Sequence, residues 1–297
     1  MQPPLDRRLD DWHLRLSGDQ PGTDYQPLLS LITSLDAASL RRLLARVLPL
    51  SLRLLDHHHA ANKLLGIQAI SHVISLLPHH ELSRTGTDEL LMHSLKNCLA
   101  FEELVLSVMP PLMAAMKKFQ VDPTSATADD VLLTIMRGLE MSSSLASKLI
   151  YWKSLHQTID FVGVSVIRLS KRIMIRMTDH LSYPLTAESE EMFSELLTCV
   201  DSFVQVTRER SHRFSAEVLF AVCSFLYSNY KGIRDCNQVQ DASLALLRSL
   251  ADVDAIAVRR AIDVLRKNDP QDRMSFMLHR LESLEQISCL EAVVTDH

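Results

Sequence analysis

The sequence predicts an all-α protein, an α-solenoid of HEAT/armadillo-like helical hairpins, and three observations predict it. Apolar residues recur at three- and four-residue spacing along nearly the whole chain, while sustained alternation is almost absent. Leucine dominates, glycine numbers seven in 297 residues and aromatic residues make up only 5%. That balance suits helices and starves strands and their turns. Finally, helical stretches follow one another through short polar joints, and two of them with their joints take roughly 40 residues, the period of HEAT and armadillo units. A single bundle would be awkward with so many helices around one core.

A short helix is expected from Leu5 to Leu16, then one from Pro27 to Leu35. Ala38 to Leu55 carries Leu43, Leu44, Val47, Leu48 and Leu55 on one side, with Pro49 set to kink it. Ala60 to Leu77 has a stripe of Leu64, Ile67, Ile70, Val73, Ile74 and Leu77. Asp88 to Leu99 precedes Phe101 to Phe119, which the pair Pro110–Pro111 is expected to bend or split. Gln120 to Ala126 is polar and reads as a loop; Thr127, three residues before Asp130, fits an N-cap. Further helices are expected at Ala128 to Met141, Ser143 to His156, Ile159 to Leu181, Glu188 to Arg208, Phe214 to Tyr230, Val239 to Leu250 and Val253 to Lys267. Asn268 and Pro270 supply a stop. The last helix, Asp272 to Val293, places Met274, Met277, Leu278, Leu281, Leu284 and Ile287 on one face. The domain reading is an N-terminal segment at 1–25, partly helical, and one helical-repeat domain at 26–295 with a soft boundary near 120–127.

With 47% hydrophobic residues the chain has the means to bury a sizeable core. A formal charge of −5 offers no field for phosphates, so nucleic acid is not an expected partner. Met1 to Asp11 begins with prolines and charges and lacks the apolar core of a signal peptide. No apolar run approaches the ~18 residues that span a bilayer, so a soluble, intracellular protein is expected. Five scattered cysteines, Cys98, Cys199, Cys223, Cys236 and Cys289, with no CxxC, read as free thiols of a reducing compartment.

Chemistry is sought and mostly not found. Asp56-His57-His58-His59 and His79-His80 resemble metal ligands, but adjacent histidines point apart and the intervening helix would separate the clusters by ~25 Å or more. His80-Glu81 opens like HExxH, yet Arg84 stands at the second histidine position. Gly163-Val164-Ser165 opens like a nucleophile elbow, but Ile167 replaces the closing glycine. There is no P-loop, dinucleotide fingerprint or EF-hand loop. No catalytic residue, metal ligand or cofactor is expected, and the chain is not read as an enzyme.

Interaction features are better candidates. Arg168, Lys171, Arg172 and Arg176 lie on the Ile159 helix, three of them four apart, forming a basic stripe about 12 Å long. It reads either as a solvated face paired with Glu188, Glu190 and Glu191 or as a docking strip for an acidic partner. Tyr151-Trp152 reads as an interface anchor or as core, and Met109 to Met116 as an adaptable groove or as core filling.

The run Leu43-Leu44-Ala45-Arg46-Val47-Leu48-Pro49-Leu50-Ser51-Leu52, then Asp56, then Asn62-Lys63-Leu64-Leu65-Gly66 resembles the Tel-two-interacting protein two family, and His72 fits the same alignment. Asp130-Val131-Leu132 and the stretch from Tyr151 through Gly163 to Arg172 continue the likeness more weakly, to about Ser228. His57 to His59 depart from the family's acidic and polar turn. Members of the family are longer at the N-terminus, so the chain corresponds to their C-terminal helical-repeat portion. The resemblance implies a non-catalytic scaffold of the Triple T complex, a hetero-oligomer with Tti-one-like and Tel-two-like subunits. It implies a role in maturing phosphatidylinositol-3-kinase-related kinases with heat-shock chaperones, in the cytoplasm and in the nucleus beside it. The alternative is another HEAT/armadillo adaptor that reads a peptide in the solenoid groove. A metal-dependent enzyme built on the histidines is a third.

Overall fold

The computed structural model describes residues 4–17 and 23–267, and among them every regular element is helical. The chain divides into two compact units, Met1–Thr134 and Ile135–His297.

The first unit holds α1 (Leu5–Ser17), α2 (Gln26–Thr33), α3 (Ala37–Leu55), α4 (Ala60–Leu76), α5 (His79–Ser83), α6 (Thr87–Cys98), α7 (Glu102–Lys118) and the start of α8 (Ala126–Met141). Packing runs between near neighbours in the chain: α1 and α4 on α3, α2 and α7 on α4, α6 on α7. α3 starts at Asp36, whose carboxylate accepts the Ser39 N–H at 2.8 Å. Its face of Leu40, Leu43, Val47, Leu50 and Leu54 is buried, as are Ile67, Ile70 and Val73 of α4, the helix packed on it. Pro49 sits inside α3. One turn before it, the Arg46 carbonyl accepts from His13 Nε2 of α1 at 3.0 Å, and the Arg46 guanidinium bonds Asp10 at 2.8 Å. α1 is thereby fastened to α3, with Leu9 and Trp12 buried beneath it.

The turn from α3 to α4 explains the motif that runs through it. Lys63 Nζ donates to the Leu55 carbonyl at 2.9 Å, satisfying a helix-end acceptor, and stands 4.6 Å over the Phe101 ring. Asn62 contacts the His57 ring at 3.2 Å. A Cβ on Gly66 would meet the Leu55 backbone nitrogen at 2.6 Å, so the two helices cross at glycine distance. Lys118 of α7 caps α4 in the same manner, donating to the Ile74 carbonyl.

Three expectations are decided here. α7 is not split by Pro110–Pro111 but runs through them as one helix. The carbonyls that lose their partners belong to Leu106 and Ser107, and both residues are exposed, so neither acceptor is shut away from solvent. The cap of α8 is Ser125, whose hydroxyl accepts the Ala128 N–H at 3.3 Å; Thr127 already lies inside the helix. Met109, Met113 and Met116 are core, not groove.

The second unit continues through α9 (Leu145–Val162), a 3-10 segment (Gly163–Leu169), α10 (Ser170–Leu181), α11 (Glu190–Val206), a second 3-10 segment (Arg208–Arg213), α12 (Ser215–Ser228), α13 (Tyr230–Asp235) and α14 (Asn237–Lys267). α11 is its spine, packed on α9 and α14, while α12 lies on α14 and α10 on α12. α14 breaks at Asp254 (φ −149°, ψ 79°), and the Asp254 carboxylate caps the second half by accepting the Ala257 N–H at 2.9 Å. The two helices expected on either side of residues 251–252 are thus present. The helix expected at Asp272 to Val293, with Cys289, lies outside the described residues. No helix among the described residues is long and apolar enough to cross a membrane.

The single helix expected from Ile159 to Leu181 is not formed. Gly163 takes φ 54° and ψ −136°, a conformation open to glycine and costly for other residues. The β-branched Val164, Val166 and Ile167 that follow are weak helix formers, and the chain tightens to 3-10 until α10 begins.

Candidate functional site

The interruption at Gly163 decides the geometry of the basic residues. Arg168 lies in the 3-10 segment, whereas Lys171, Arg172 and Arg176 lie on α10, so one straight α-helical stripe does not exist. Arg172 and Arg176 share a face and turn toward α8. Arg172 holds Glu140 with both oxygens, Nη2 at 2.8 and 2.9 Å and Nε at 3.1 Å. Arg176 adds a longer contact to Glu140 at 3.8 Å and bonds Asp179 at 3.0 Å. Their charge is met by Glu140 and Asp179 and not by Glu188, Glu190 or Glu191. Arg168 and Lys171 are exposed. A half-buried forked pair fixes direction and register more than it adds stability.

Around these cations stand two apolar side chains that the sequence reading passed over: Val164 is 55% exposed and Ile175 44%. Ile175 was recognisable, because Ile173, Met174, Met177 and Leu181 make the buried stripe of α10 and residue 175 falls off it. Val164, Arg168, Lys171 and Ile175 form a mixed cationic and apolar exposed segment.

Tyr151 and Trp152 lie elsewhere. Both are core residues of α9, 4% and 0% exposed. The Trp152 indole N–H donates to His180 Nδ1 at 3.0 Å. A Cβ on Gly138 would fall 2.1 Å from the Tyr151 ring, so α8 and α9 meet at a glycine. As anchors for a partner, these rings are corrected to packing residues: apolar area this well buried has no face to offer.

The polar clusters have structural roles in this geometry. His57, His58 and His59 stack on one another in the α3–α4 turn, with centroids 3.9 to 5.4 Å apart, and His57 meets Tyr25 edge-on. His79 contacts Asp88 at 3.4 Å and the Phe119 ring. Among the described residues no three His, Cys, Asp or Glu side chains converge to hold a metal ion. On α9, His156 bonds Glu195 at 2.9 Å, and that hydrogen bond pushes its pKa up. Burial pushes the Cys98 and Cys223 thiols up to about 11 and holds Cys199 well above the ordinary thiol value, so none is a poised nucleophile.

No protein-family model matches the chain, and no solved structure matches it. It is similar to TELO2-interacting protein 2 of human, with 26% identity over 140 residues, covering 44% of this chain and 28% of the human protein. The mouse protein of the same name is 26% identical over 140 residues, covering 44% of this chain and 27% of its own length. The matched region therefore spans little more than a quarter of these curated relatives.

Proposed function

We propose that the chain is a non-catalytic scaffold subunit of the Triple T kind. In this reading its helical hairpins stack as a HEAT/armadillo-like solenoid and bind Tti-one-like and Tel-two-like subunits in a hetero-oligomer. The complex supports maturation of phosphatidylinositol-3-kinase-related kinases with heat-shock chaperones, in the cytoplasm and the nucleus. The observation that carries the proposal is the 26% identity over 140 residues to TELO2-interacting protein 2, whose name states its partner. Two physical facts support it. Helix packing is local in sequence, as in stacked repeats. The exposed segment of Val164, Arg168, Lys171 and Ile175 has the mixture of cation and apolar surface that protein interfaces favour.

The test is co-expression with the Tti-one homologue of the same organism, affinity capture and size-exclusion chromatography. A stoichiometric complex is expected; a chain that elutes alone as a monomer overturns the proposal. Within the complex, Arg168→Glu with Lys171→Glu is expected to slow association by about tenfold at low salt and much less at high salt. Arg172 and Arg176 are poor test positions, since reversing them would set a carboxylate against Glu140.

A further inference from the structure

A run of five rings ties the start of the chain to the α3–α4 turn. Trp12 of α1 lies 6.2 Å from Tyr25, just ahead of α2. Tyr25 meets His57 edge-on at 5.7 Å, and His57 stacks on His58 at 4.3 Å and on His59 at 5.4 Å. Trp12 and Tyr25 are buried, His57 is half-buried, and His58 and His59 are exposed, so water reaches one end of the run.

The hydrogen bonds of His57 fix its charge state. Its Nδ1 accepts the His59 backbone N–H at 3.1 Å. An imidazole nitrogen accepts only while it is unprotonated, so His57 is neutral, with its proton on Nε2, 3.2 Å from the Asn62 side-chain amide. The bond to His59 closes a turn of the Asx type over residues 57–59. α4 starts at His59 without a side-chain cap, so this bond holds the entry to the helix. A second proton on His57 sets N–H against N–H and breaks it. The same proton places an imidazolium within 5.4 Å of two more imidazoles, where each further charge repels the first.

Two histidines on the neighbouring helices have the opposite chemistry. His13 of α1 donates to the Arg46 carbonyl at 3.0 Å, and His72 of α4 donates to the Leu35 carbonyl at 3.1 Å. Both bonds survive protonation, because imidazolium donates from both nitrogens. The charged groups about the turn are Arg15 over the Trp12 ring, Asp24 on the Gln26 N–H, Arg53 on Ser17, Asp56, and Lys63 on the Leu55 carbonyl. They bring both signs to it. Imidazole is the side chain that ordinarily changes charge at mildly acid pH.

We propose that His57 is a pH-sensitive clasp within the first unit. Neutral, it closes the α3–α4 turn and, through Tyr25 and Trp12, steadies α1 and the start of α2. Protonated, it lets the turn open and loosens both. The clasp is independent of the scaffold reading, because it concerns contacts of the first unit with itself.

The experiment is amide exchange of the full chain at about pH 7.5 and 5.5, each rate divided by the intrinsic rate at that pH. Protection over residues 57–66 and over α1 is expected to fall about tenfold at the lower pH, with α7 unchanged. His57→Asn keeps a side-chain acceptor for the His59 N–H but does not titrate, so its protection is expected to be equal at both pH values. Protection that is independent of pH at either segment of the unaltered chain overturns the proposal. So does a fall in His57→Asn as large as in the unaltered chain. Should His57→Asn fail to hold the turn at the higher pH, nitrogen-15 spectra of the unaltered chain decide. His57 Nδ1 is expected to be bare there, and a proton found on it overturns the proposal.

Discussion

Trp152 and His180 show how a single buried pair sets a pH response. The indole donates to Nδ1 at 3.0 Å, which leaves the proton of neutral His180 on Nε2. Tyr183 stacks on the imidazole, and Lys148, only 8% exposed, holds its ammonium 4.4 Å over the Tyr183 ring. Burial first, then the Lys148 charge, bring His180 down to about 4; Asp179 opposes this and Arg176 adds to it. Because the folded-state pKa is depressed, the unfolded chain binds the extra proton between pH 6.5 and 4, so stability falls as pH falls through that window. The loss is expected to be on the order of 2–3 kcal/mol, read as a falling urea midpoint. His180→Leu should flatten that slope while lowering stability at pH 7, since it strands the indole N–H. His156 works the other way: Glu195 raises its pKa, so its contribution is full below pH 6.5 and is lost as pH rises through the raised value. If the His180→Leu slope matches the unaltered protein, His180 is not the group responsible. Trp152 stood out in the sequence as one of two tryptophans, but nothing there pointed to a partner 28 residues away. The contact exists only once α9 and α10 are placed side by side.

At the scale of elements, two glycines separate what the sequence discloses from what it hides. Both lie in stretches read as unbroken helix. Most of the helices were legible, because each buries a stripe of leucine, isoleucine or valine, and that stripe is the same signal in sequence and in structure. The break at Gly163 was not, since Val164, Val166 and Ile167 continue the apolar spacing across it and one glycine is a weak stop. Short α13 was missed because six residues, Tyr230–Asp235, hold less than two turns of period. The basic residues were legible as a cluster, but their pairing with Glu140 was not, because Arg172 and Glu140 stand 32 residues apart in the chain. Gly66 and Gly163 should also fail differently. At Gly66 a methyl group collides with the Leu55 backbone at 2.6 Å, so the α3–α4 crossing has to open. Gly66→Ala is expected to lose roughly 2–3 kcal/mol despite alanine's better helix propensity. Around Gly163 there is nothing within 4 Å, so Gly163→Ala is strained by its backbone alone, at φ 54°. Its expected loss is about 1–2 kcal/mol. Urea denaturation measures both. Amide exchange adds the location: faster at the α3–α4 turn for the first, faster over residues 163–170 for the second. A neutral Gly66→Ala would mean that α3 and α4 do not cross this closely.

For the whole molecule, the free thiols offer a reading of each unit by itself. Cys98 lies in the first unit and Cys199, Cys223 and Cys236 in the second, all buried and free. A thiol whose pKa stands at about 11 is about one part in a thousand thiolate at pH 8, against roughly a quarter for an ordinary cysteine. Electrostatics alone therefore slows alkylation by a few hundredfold, and burial multiplies that, because reagent reaches sulfur only when the surrounding helices part. Pulsed iodoacetamide labelling of a Cys289→Ser chain, read by mass spectrometry across a urea series, is the measurement. In water, labelling at Cys98, Cys199 and Cys223 is expected to be at least a hundredfold slower than in the unfolded chain. Each should become reactive only through its own unit's transition. The midpoint at Cys98 reports the first unit and that at Cys199 and Cys223 the second, so the pair of midpoints measures directly whether the units unfold together. Cys199 is the sharpest probe, being fully buried on α11 between α9 and α14. Rapid labelling there in water would mean that the spine of the second unit parts far more often than its packing permits.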